Sequence, residues 1–370
     1  MTGTLRIPDP HLELLLRAGL WVVTGSDVLP GTPDVPTSRE STHQLILKAV
    51  GQKMVPLLVA YLRGTSQEVA ESLRELESLL RVRMEAFYAT VEPVLERLTT
   101  AGIDVLLLKG GDLAVTVYPA GLPRMMEDLD LLAVPTDLAA VERALRDEGF
   151  AQGTASSTTL TVAPLSPAQL ASYRAMDHYE LPTYSKFVEL PDCGPLAERA
   201  AKYLRPFGYW MPVIGGKAYV PVDVDVHFNI ARDVELDDAW KDPRLVTLPS
   251  GRRVTGQSPT EMLWFLTSRV YHEVMQADTG VLLQFIDALA IVKRYGAEVD
   301  WERVQEIGVK YGLLPSLYYV FVHVNECLGP VVPSTLIEAC CPAHQGTRRP
   351  HDWGDLLPKL LGGVMTARLF

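Results

Sequence analysis

The chain has 370 residues, of which 48% are apolar and 21% are charged, and this composition is typical of a globular protein with two or three domains. Its 34 Lys and Arg residues against 45 Asp and Glu residues give a net charge of −11, which argues against an extended nucleic-acid-binding surface. No stretch approaches the roughly 18 apolar residues of a membrane helix, and the N-terminal residues do not resemble a secretory signal. The sequence therefore predicts a cytoplasmic protein without membrane association.

The first 100 residues predict a helical region. A first helix opens near Leu12, a second covers residues 42–63, and a third runs from about Ser66 to Thr100 with apolar residues at every third or fourth position. Pro93 lies inside the third pattern and removes a helical hydrogen bond, so we expect it to kink or divide that helix.

The pattern changes from helical to strand-like after Gly102. The run IDVLLLKGG predicts a buried strand that ends in a tight turn at Gly110 and Gly111, followed by a helix over residues 112–118. The segment VPVDVDVHF alternates and is the clearest strand in the chain. In all, strands are predicted over residues 103–108, 128–134, 158–163, 187–190 and 220–228, and further helices over residues 135–149 and 196–204.

Helical spacing returns after Ser258, where Pro259 and Glu261 form a typical helix start. The predicted helices cover residues 259–276, 280–295, 301–311 and 313–328. We therefore expect an α+β fold with a helical region over residues 1–100, a mixed core over residues 101–235 and a helical domain over residues 236–370.

Acidic residues on two predicted strands carry the chemical signal. Asp128 and Asp130 are two positions apart, which places both carboxylates on one face of a strand. Two like charges on an apolar strand are unfavourable unless a cation lies between them, and a divalent cation that prefers oxygen ligands suits that place. If the strand that carries Asp223, Asp225 and His227 lies alongside, it can supply a third carboxylate.

Each of these features alone has a simpler explanation. An acid pair at a strand edge is commonly just solvated, a glycine pair is commonly a turn, and VDVDVHF is typical of a half-exposed strand. Their combination in the order strand, Gly-Gly, helix, Arg, acid pair is more specific. Three acids and glycine amides are the groups that metal-assisted nucleotidyl transfer requires.

The segment resembles the polymerase-beta-like nucleotidyltransferase superfamily, and more narrowly a bacterial family known only as uncharacterised nucleotidyltransferases. The resemblance covers roughly residues 70–330. It rests on these motifs: Leu108-Lys109-Gly110, Tyr118-Pro119, Arg124, Asp128-Leu129-Asp130-Leu131-Leu132, Asp225-Val226-His227-Phe228, His272, Asp287-Ala288-Leu289-Ala290 and Trp301. It implies a polymerase-beta-like core of mixed sheet and helices between the two helical regions.

The resemblance also implies roles for individual residues. Asp128, Asp130 and Asp225 would be the catalytic metal ligands, holding two Mg²⁺ ions or, alternatively, Mn²⁺. In the superfamily the third acid helps to activate the attacking hydroxyl; Asp223 competes for that place, but the acid-x-His order favours Asp225. The nucleotide phosphates would be bound by these residues: Lys109, Gly110, Gly111 and Arg124.

Two histidines and one segment have open interpretations. His178 and His227 would either contact the acceptor or a phosphate, or have a structural role. Residues 191–217 look like an insertion and contain a mixture of basic and aromatic side chains, Lys202, Arg205, Tyr209, Trp210 and Lys217. This segment would be either an acceptor-binding lid or a packed surface excursion.

The predicted function is metal-dependent transfer of a nucleoside monophosphate from an NTP to a small-molecule acceptor, with release of pyrophosphate. The acidic net charge favours a small acceptor over a polynucleotide. The alternatives are an enzyme that modifies a protein or tRNA, as toxin-like members of the superfamily do, and a non-catalytic nucleotide-binding module. The presence of all three acids argues against the last.

Overall fold

A computed structural model describes residues 7, 9–29, 35–175, 178–209, 211–231, 233–277, 279–342, 356, 359 and 360. Within these residues the chain forms fourteen α-helices and nine strands, and the predicted α+β class is confirmed. The described residues fall into two compact units. The sheet unit comprises Glu75–Thr116 and Pro123–Ser258, and the helical unit comprises the described residues up to Arg74, the segment Val117–Leu122 and the described residues from Pro259 onward.

The sheet unit contains one mixed sheet. Its strands are β1 (Val105–Leu107), β2 (Asp128–Ala133), β3 (Ala151–Ser156), β4 (Thr161–Pro164), β5 (Tyr184–Leu190), β6 (Val213–Ile214), β7 (Lys217–His227), β8 (Arg244–Thr247) and β9 (Arg253–Gly256). The strand order is β4-β3-β5-β7-β2-β1-β9-β8, and β6 pairs with β7 off this path. The three strands predicted around the motifs, β1, β2 and β7, are therefore neighbours in one sheet.

Strand β2 lies between two partners of opposite direction. It pairs antiparallel with β1, where Leu107 is opposite Leu131, and parallel with β7. Leu131, Leu132 and Ala133 are fully buried, so this part of the sheet forms the core of the unit. The dense aliphatic composition of β1 and β2 follows from this burial on both faces.

Helices of the sheet unit are α4 (Glu71–Thr100), most of which belongs to this unit, α5 (Lys109–Thr116), α6 (Leu138–Asp147), α7 (Pro167–Ala175), α8 (Gly194–Leu204) and α9 (Leu236–Ala239). Helix α4 continues through Pro93, which does not divide it. Helix α5 starts at Lys109, so the glycine pair lies inside the first turn of a helix and not, as predicted, in a turn ahead of it.

The helical unit contains α1 (Pro10–Thr24), α2 (Arg39–Gly51), α3 (Val55–Gly64), α10 (Pro259–His272), α11 (Leu282–Tyr295), α12 (Trp301–Lys310), α13 (Leu314–Leu328) and α14 (Ser334–Cys340). The single helix predicted over residues 42–63 is wrong, because the chain breaks after Gly51 and Lys53 has a left-handed backbone with φ of +58°. In the same unit the Tyr118 hydroxyl donates a hydrogen bond of 2.6 Å to the buried Asp287 carboxylate. Among the described helices, none combines the length and the apolar character needed to cross a bilayer.

Candidate active site

Four aspartates form a row on one face of the sheet, which we call the acid face: Asp128 and Asp130 on β2, Asp223 and Asp225 on β7. The parallel register places Asp128 beside Asp223 and Asp130 beside Asp225. Because side chains alternate along a strand, all four carboxylates point to the same side of the sheet. The juxtaposition expected from the sequence is therefore present, and it includes Asp223 as well as the three acids of the motif.

Asp130 is the most buried carboxylate of the acid face, with 4% of its surface exposed. The Lys109 ammonium donates a hydrogen bond of 2.5 Å to its Oδ1 atom, and Nε2 of His227 lies 2.9 Å from the same oxygen. Burial acts to raise the pKa of Asp130, but the Lys109 charge and the His227 contact outweigh it and hold the pKa below its usual range. Asp130 is therefore ionised at neutral pH.

Asp225 has the opposite electrostatic environment. Burial and repulsion from Asp128 raise its pKa to about 7, although the Thr183 hydroxyl donates a hydrogen bond of 2.6 Å to its Oδ1 atom. Asp130 and Glu180 add further repulsion. Asp130 and Asp225 are neighbours in register, yet their pKa values are shifted in opposite directions. Such a separation of pKa values is the usual way in which two acids acquire different chemical tasks.

Asp223 lies at the other end of the acid face, beside a buried arginine. The Ser185 hydroxyl donates a hydrogen bond of 2.5 Å to its carboxylate, and burial raises its pKa despite this bond and the positive charge of Arg83. Arg83 lies on α4, is 5% exposed and donates a hydrogen bond to the Met126 carbonyl. Its guanidinium also interacts with Glu127 and Asp128, so this one cation serves three carboxylates.

The start of α5 faces these strands. Lys109 has a φ of +44°, a left-handed conformation that is uncommon for a residue with a side chain. A Cβ atom on Gly110 would lie 2.6 Å from Nη1 of Arg124, and one on Gly111 would lie 2.7 Å from Cδ1 of Leu129. Gly110 therefore allows the Arg124 guanidinium to lie against the helix start, whereas Gly111 allows the helix to pack against β2.

The two histidines have different surroundings. The His227 ring is buried and lies between Asp130 and Glu180, with Nδ1 3.3 Å from Oε2 of Glu180. His178 is half-buried and stacks on Tyr173 at 3.9 Å between ring centres, and its Nε2 has no hydrogen-bond partner among the described residues. His227 is therefore part of the acid face, while the contact between His178 and the acceptor stays a prediction.

Residues 191–217 form ordinary packed structure around α8. Ala197, Ala200 and Leu204 are buried, and the Lys217 ammonium forms a 2.9 Å ion pair with Glu189. Lys202 lies over the Tyr203 ring at 4.8 Å. Trp210 lies outside the described residues. A lid function for this segment stays a prediction.

Comparison with protein families matches residues 40–329 to the family described as "Uncharacterised nucleotidyltransferase", and the match covers more than half of the chain. The chain belongs to this nucleotidyltransferase family. Comparisons with curated proteins and with solved structures gave no match. The resemblance found in the sequence motifs is thus confirmed at the level of the family, which implies an NTP as substrate.

The resemblance of the sequence motifs implies a divalent metal, and the side chains of the acid face have to be compared with what such a metal requires. Within the ranges that the structure describes, no three His, Cys, Asp or Glu side chains are gathered in a geometry that could already hold a metal ion. The donor set nevertheless has the right chemistry, because Mg²⁺ and Mn²⁺ prefer carboxylate oxygens. The repulsion that Asp128 and Asp130 exert on Asp225 marks excess negative charge, which a cation would relieve. The chemistry of these side chains therefore fits a divalent cation.

Sequence reasoning missed several neighbours of the acid face in the nucleotidyltransferase: Arg83, Glu180, Thr183 and Ser185. Arg83 had a readable signal, because it falls on the apolar stripe of its helix at a spacing of three from Leu80 and four from Phe87. A charged residue on such a stripe indicates a buried polar partner. Thr183 and Ser185 repeat the spacing of two seen in the acids, but hydroxyl residues at that spacing are too common to be diagnostic.

Proposed function

We propose that this nucleotidyltransferase transfers a nucleoside monophosphate from an NTP to a small-molecule acceptor, with Mg²⁺ or Mn²⁺ and with release of pyrophosphate. The observation that carries the proposal is the pair Asp130 and Asp225, adjacent in register yet opposite in pKa shift. In the metal-free protein, Asp130 stays ionised and the pKa of Asp225 is raised. Two adjacent carboxylates with different proton affinities suit a pair in which both can bind a cation and one can also accept a proton from the acceptor.

Asp128, Asp130 and Asp225 would hold the metal ions, which would supply Lewis-acid stabilisation of charge on the phosphates. The triphosphate would lie at the start of α5. The first amides of a helix have no partner within the helix and favour anions, so the N–H groups of Gly110 and Gly111 suit phosphate oxygens. The Lys109 ammonium and the Arg124 guanidinium would add positive charge at the same place.

Asp225 would act on the acceptor. An acceptor oxygen forms a bond to the α-phosphorus, and the bond from that phosphorus to the pyrophosphate oxygen breaks. The proton of the attacking hydroxyl passes to the Asp225 carboxylate. Its place beside Asp130 in register supports this assignment, and so does its higher proton affinity in the metal-free protein, where burial and repulsion from Asp128 raise the pKa of Asp225.

A small acceptor is supported by the charge of the chain. A net charge of −11 opposes the approach of a polyanion, whose binding requires several Lys or Arg contacts to phosphates. Attack on tRNA is therefore the less favoured form of the reaction, and the labelling experiment includes both RNA and protein acceptors as outcomes.

The test is a labelling experiment with each of the four NTPs carrying a labelled α-phosphate. The enzyme and Mg²⁺ are incubated with a small-metabolite extract, total protein or total RNA, and label and pyrophosphate are followed together. We expect stoichiometric pyrophosphate and labelled small molecules, and neither with Asp130→Asn. Label in protein or RNA alone would overturn the small acceptor, and the absence of both label and pyrophosphate would overturn catalysis.

A further inference from the structure

Glu180 is an acidic neighbour of the acid face that the motifs do not include. A short stretch of backbone fixes its place: the Leu181 amide donates a 2.8 Å hydrogen bond to the Val226 carbonyl, and the Phe228 amide donates a 2.9 Å bond to the Tyr179 carbonyl. These bonds pair Glu180 with His227 across the end of β7. The Tyr173 hydroxyl donates a 3.4 Å hydrogen bond to the carbonyl of the next residue, Leu181. The glutamate is thus held at a defined distance from the acids.

His227 connects Glu180 to Asp130. Its two ring nitrogens face the two carboxylates, at 2.9 Å from Oδ1 of Asp130 and 3.3 Å from Oε2 of Glu180. The ring is almost completely buried and stacks against Tyr179, with 5.9 Å between centres and 19° between planes. The imidazole therefore has little room to move apart from rotation about its side-chain bonds. The Glu180 carboxylate, which faces Nδ1, opposes that rotation.

The contact between Glu180 and His227 is long. Nδ1 of His227 is buried and does not reach a hydrogen-bond partner within the described residues, although Oε2 of Glu180 is close. Hydrogen bonds of a catalytic site are commonly long in the free enzyme and tighten in the complex. Glu180 is 31% exposed, so its carboxylate can make this small movement without leaving a packed position.

The same arrangement determines which oxygen of Asp130 is presented. Both the Lys109 ammonium and Nε2 of His227 contact Oδ1, and neither of these contacts uses Oδ2. If the imidazole is held in place, Oδ1 is held with it, and the orientation of the whole Asp130 carboxylate is fixed. A ligand carboxylate fixed in this way binds a metal more tightly than one that rotates freely.

We propose that Glu180 is a positioning residue that acts through His227 to fix the Asp130 carboxylate for cation binding. This inference rests on the proposed metal-dependent function. Residues that orient a metal ligand typically contribute about 10–100-fold to metal affinity when they are removed. Glu180 itself touches no reacting atom, and its effect reaches the site only along the chain from Glu180 to His227 to Asp130.

The test is a double-mutant cycle with Mn²⁺ binding to the nucleotide-free protein as its first readout. Glu180→Ala should weaken Mn²⁺ binding about tenfold, and Glu180→Gln, which still carries an oxygen toward Nδ1, should recover most of the loss. In the background of His227→Gln, which removes the nitrogen that faces Glu180, the Glu180→Ala change should have no further effect. The control is Glu189→Ala on β5, whose partner is the exposed Lys217.

Thermal unfolding and the kcat for pyrophosphate release complete the readouts. We expect unchanged unfolding temperatures for the Glu180 variants and a lower kcat with an almost unchanged KM for the NTP. Three results would each overturn the proposal. The losses of Mn²⁺ affinity add in the double variant, Glu180→Ala binds Mn²⁺ as tightly as Glu189→Ala does, or the parent protein binds no Mn²⁺. If the parent protein binds Mn²⁺ but releases no pyrophosphate, and the losses of Mn²⁺ affinity in the variants are coupled, the positioning role stands and the proposed function is refuted.

Discussion

The two ends of the acid face use the same residue type on the same two strands, yet they are neutralised in different ways. At one end Asp223 faces Arg83, whose guanidinium is buried and bonded to the Met126 carbonyl. At the other end Asp130 contacts Lys109 and His227, whereas Asp225 accepts a hydrogen bond from the Thr183 hydroxyl. Asp128 is beside Asp223 in register and interacts with both Arg83 and Asp225.

The two ends of the acid face differ in whether the neighbouring cationic side chain can move away from the carboxylates. A buried guanidinium has fixed hydrogen bonds and would lose them if it moved, whereas a lysine ammonium is a single point charge on a flexible stem. The Arg83 end is therefore part of the fold, and the Lys109 end can exchange its cation for another one. Aspartates in the same register on the same two strands can therefore have different roles.

The largest expected effect separates Asp130 from Asp223. Asp130→Asn should lower kcat/KM for pyrophosphate release by about 10³-fold or more, about 4 kcal/mol, because it removes a charged ligand from the reacting site. Asp223→Asn should cost less than about tenfold, because the Ser185 hydrogen bond can be kept and the group faces Arg83. A continuous pyrophosphate assay measures both, with circular dichroism as a check of folding. Equal losses in the two variants would remove the distinction between the ends.

The second expected effect concerns the stability that Arg83 gives to its end of the acid face. Arg83→Met should lower the free energy of unfolding by about 3 kcal/mol, because breaking one partner of a buried charge cluster leaves acids without their cation. The raised pKa of Asp223 limits the loss, since that group can take up a proton. Urea unfolding measures the effect, with Arg74→Met on the exposed side of the same helix as the control. Adding Asp223→Asn should restore part of the loss; a double variant less stable than Arg83→Met would contradict this account.

A smaller effect should depend on pH. The folded-state pKa of Asp225, about 7, lies above its ordinary value of 3.8, so the folded protein holds this proton more tightly than the unfolded chain does. Stability from this group is present at low pH and is lost as the pH rises from about 4 to about 7. In metal-free buffer, Asp225→Asn should therefore gain roughly 2–4 kcal/mol on the parent protein over this range, with no further gain above it. Unfolding free energies at pH 5, 6, 7 and 8 measure it, and a constant difference would show that Asp225 is already ionised at pH 5.

The smallest effect tests the exchangeable cation directly. Lys109→Met should tighten Mn²⁺ binding to the nucleotide-free protein about tenfold, because the ammonium no longer competes for Asp130. The same change should weaken NTP binding, since the phosphates lose a positive charge. Calorimetric titration measures both affinities, and Lys186→Met, a lysine of β5 that donates to the Glu148 carbonyl, is the control. Weaker binding of Mn²⁺ to Lys109→Met would mean that the lysine supports the metal site and does not compete with it.

Much of the fold could be predicted from the sequence where periodicity was strong. The strands β1, β2 and β7 and the helices from α10 to α13 all have long apolar or alternating patterns. The hairpin of β8 and β9 was missed, because each strand has only four residues and buries few of them. Strand β3, with the sequence AQGTAS, was also missed since small polar residues and glycine give no strand signal.

The candidate site, like the fold, could be predicted from the sequence only in part. The spacing of two was sufficient to predict that the aspartates of each strand share one face. That the two strands are parallel neighbours, with all four aspartates on one side, comes from the fold. The left-handed backbone at Lys109 could not be predicted, as tertiary contacts must compensate for the steric cost of that conformation in a residue other than glycine. Electrostatics was the least predictable property. The sequence predicts only that neighbouring acids repel one another, whereas the pKa values of Asp130 and Asp225 are shifted in opposite directions.

The path of the chain through its two units has a consequence for how the enzyme is made. The described chain passes between the units after Arg74, Thr116, Leu122 and Ser258. During synthesis, α1 and α3 leave the ribosome long before α11, against which α1 packs. The apolar face of α1 that packs on α11 therefore lacks this partner while the whole sheet unit is produced. Apolar surface that stays exposed during synthesis makes a nascent chain prone to aggregation.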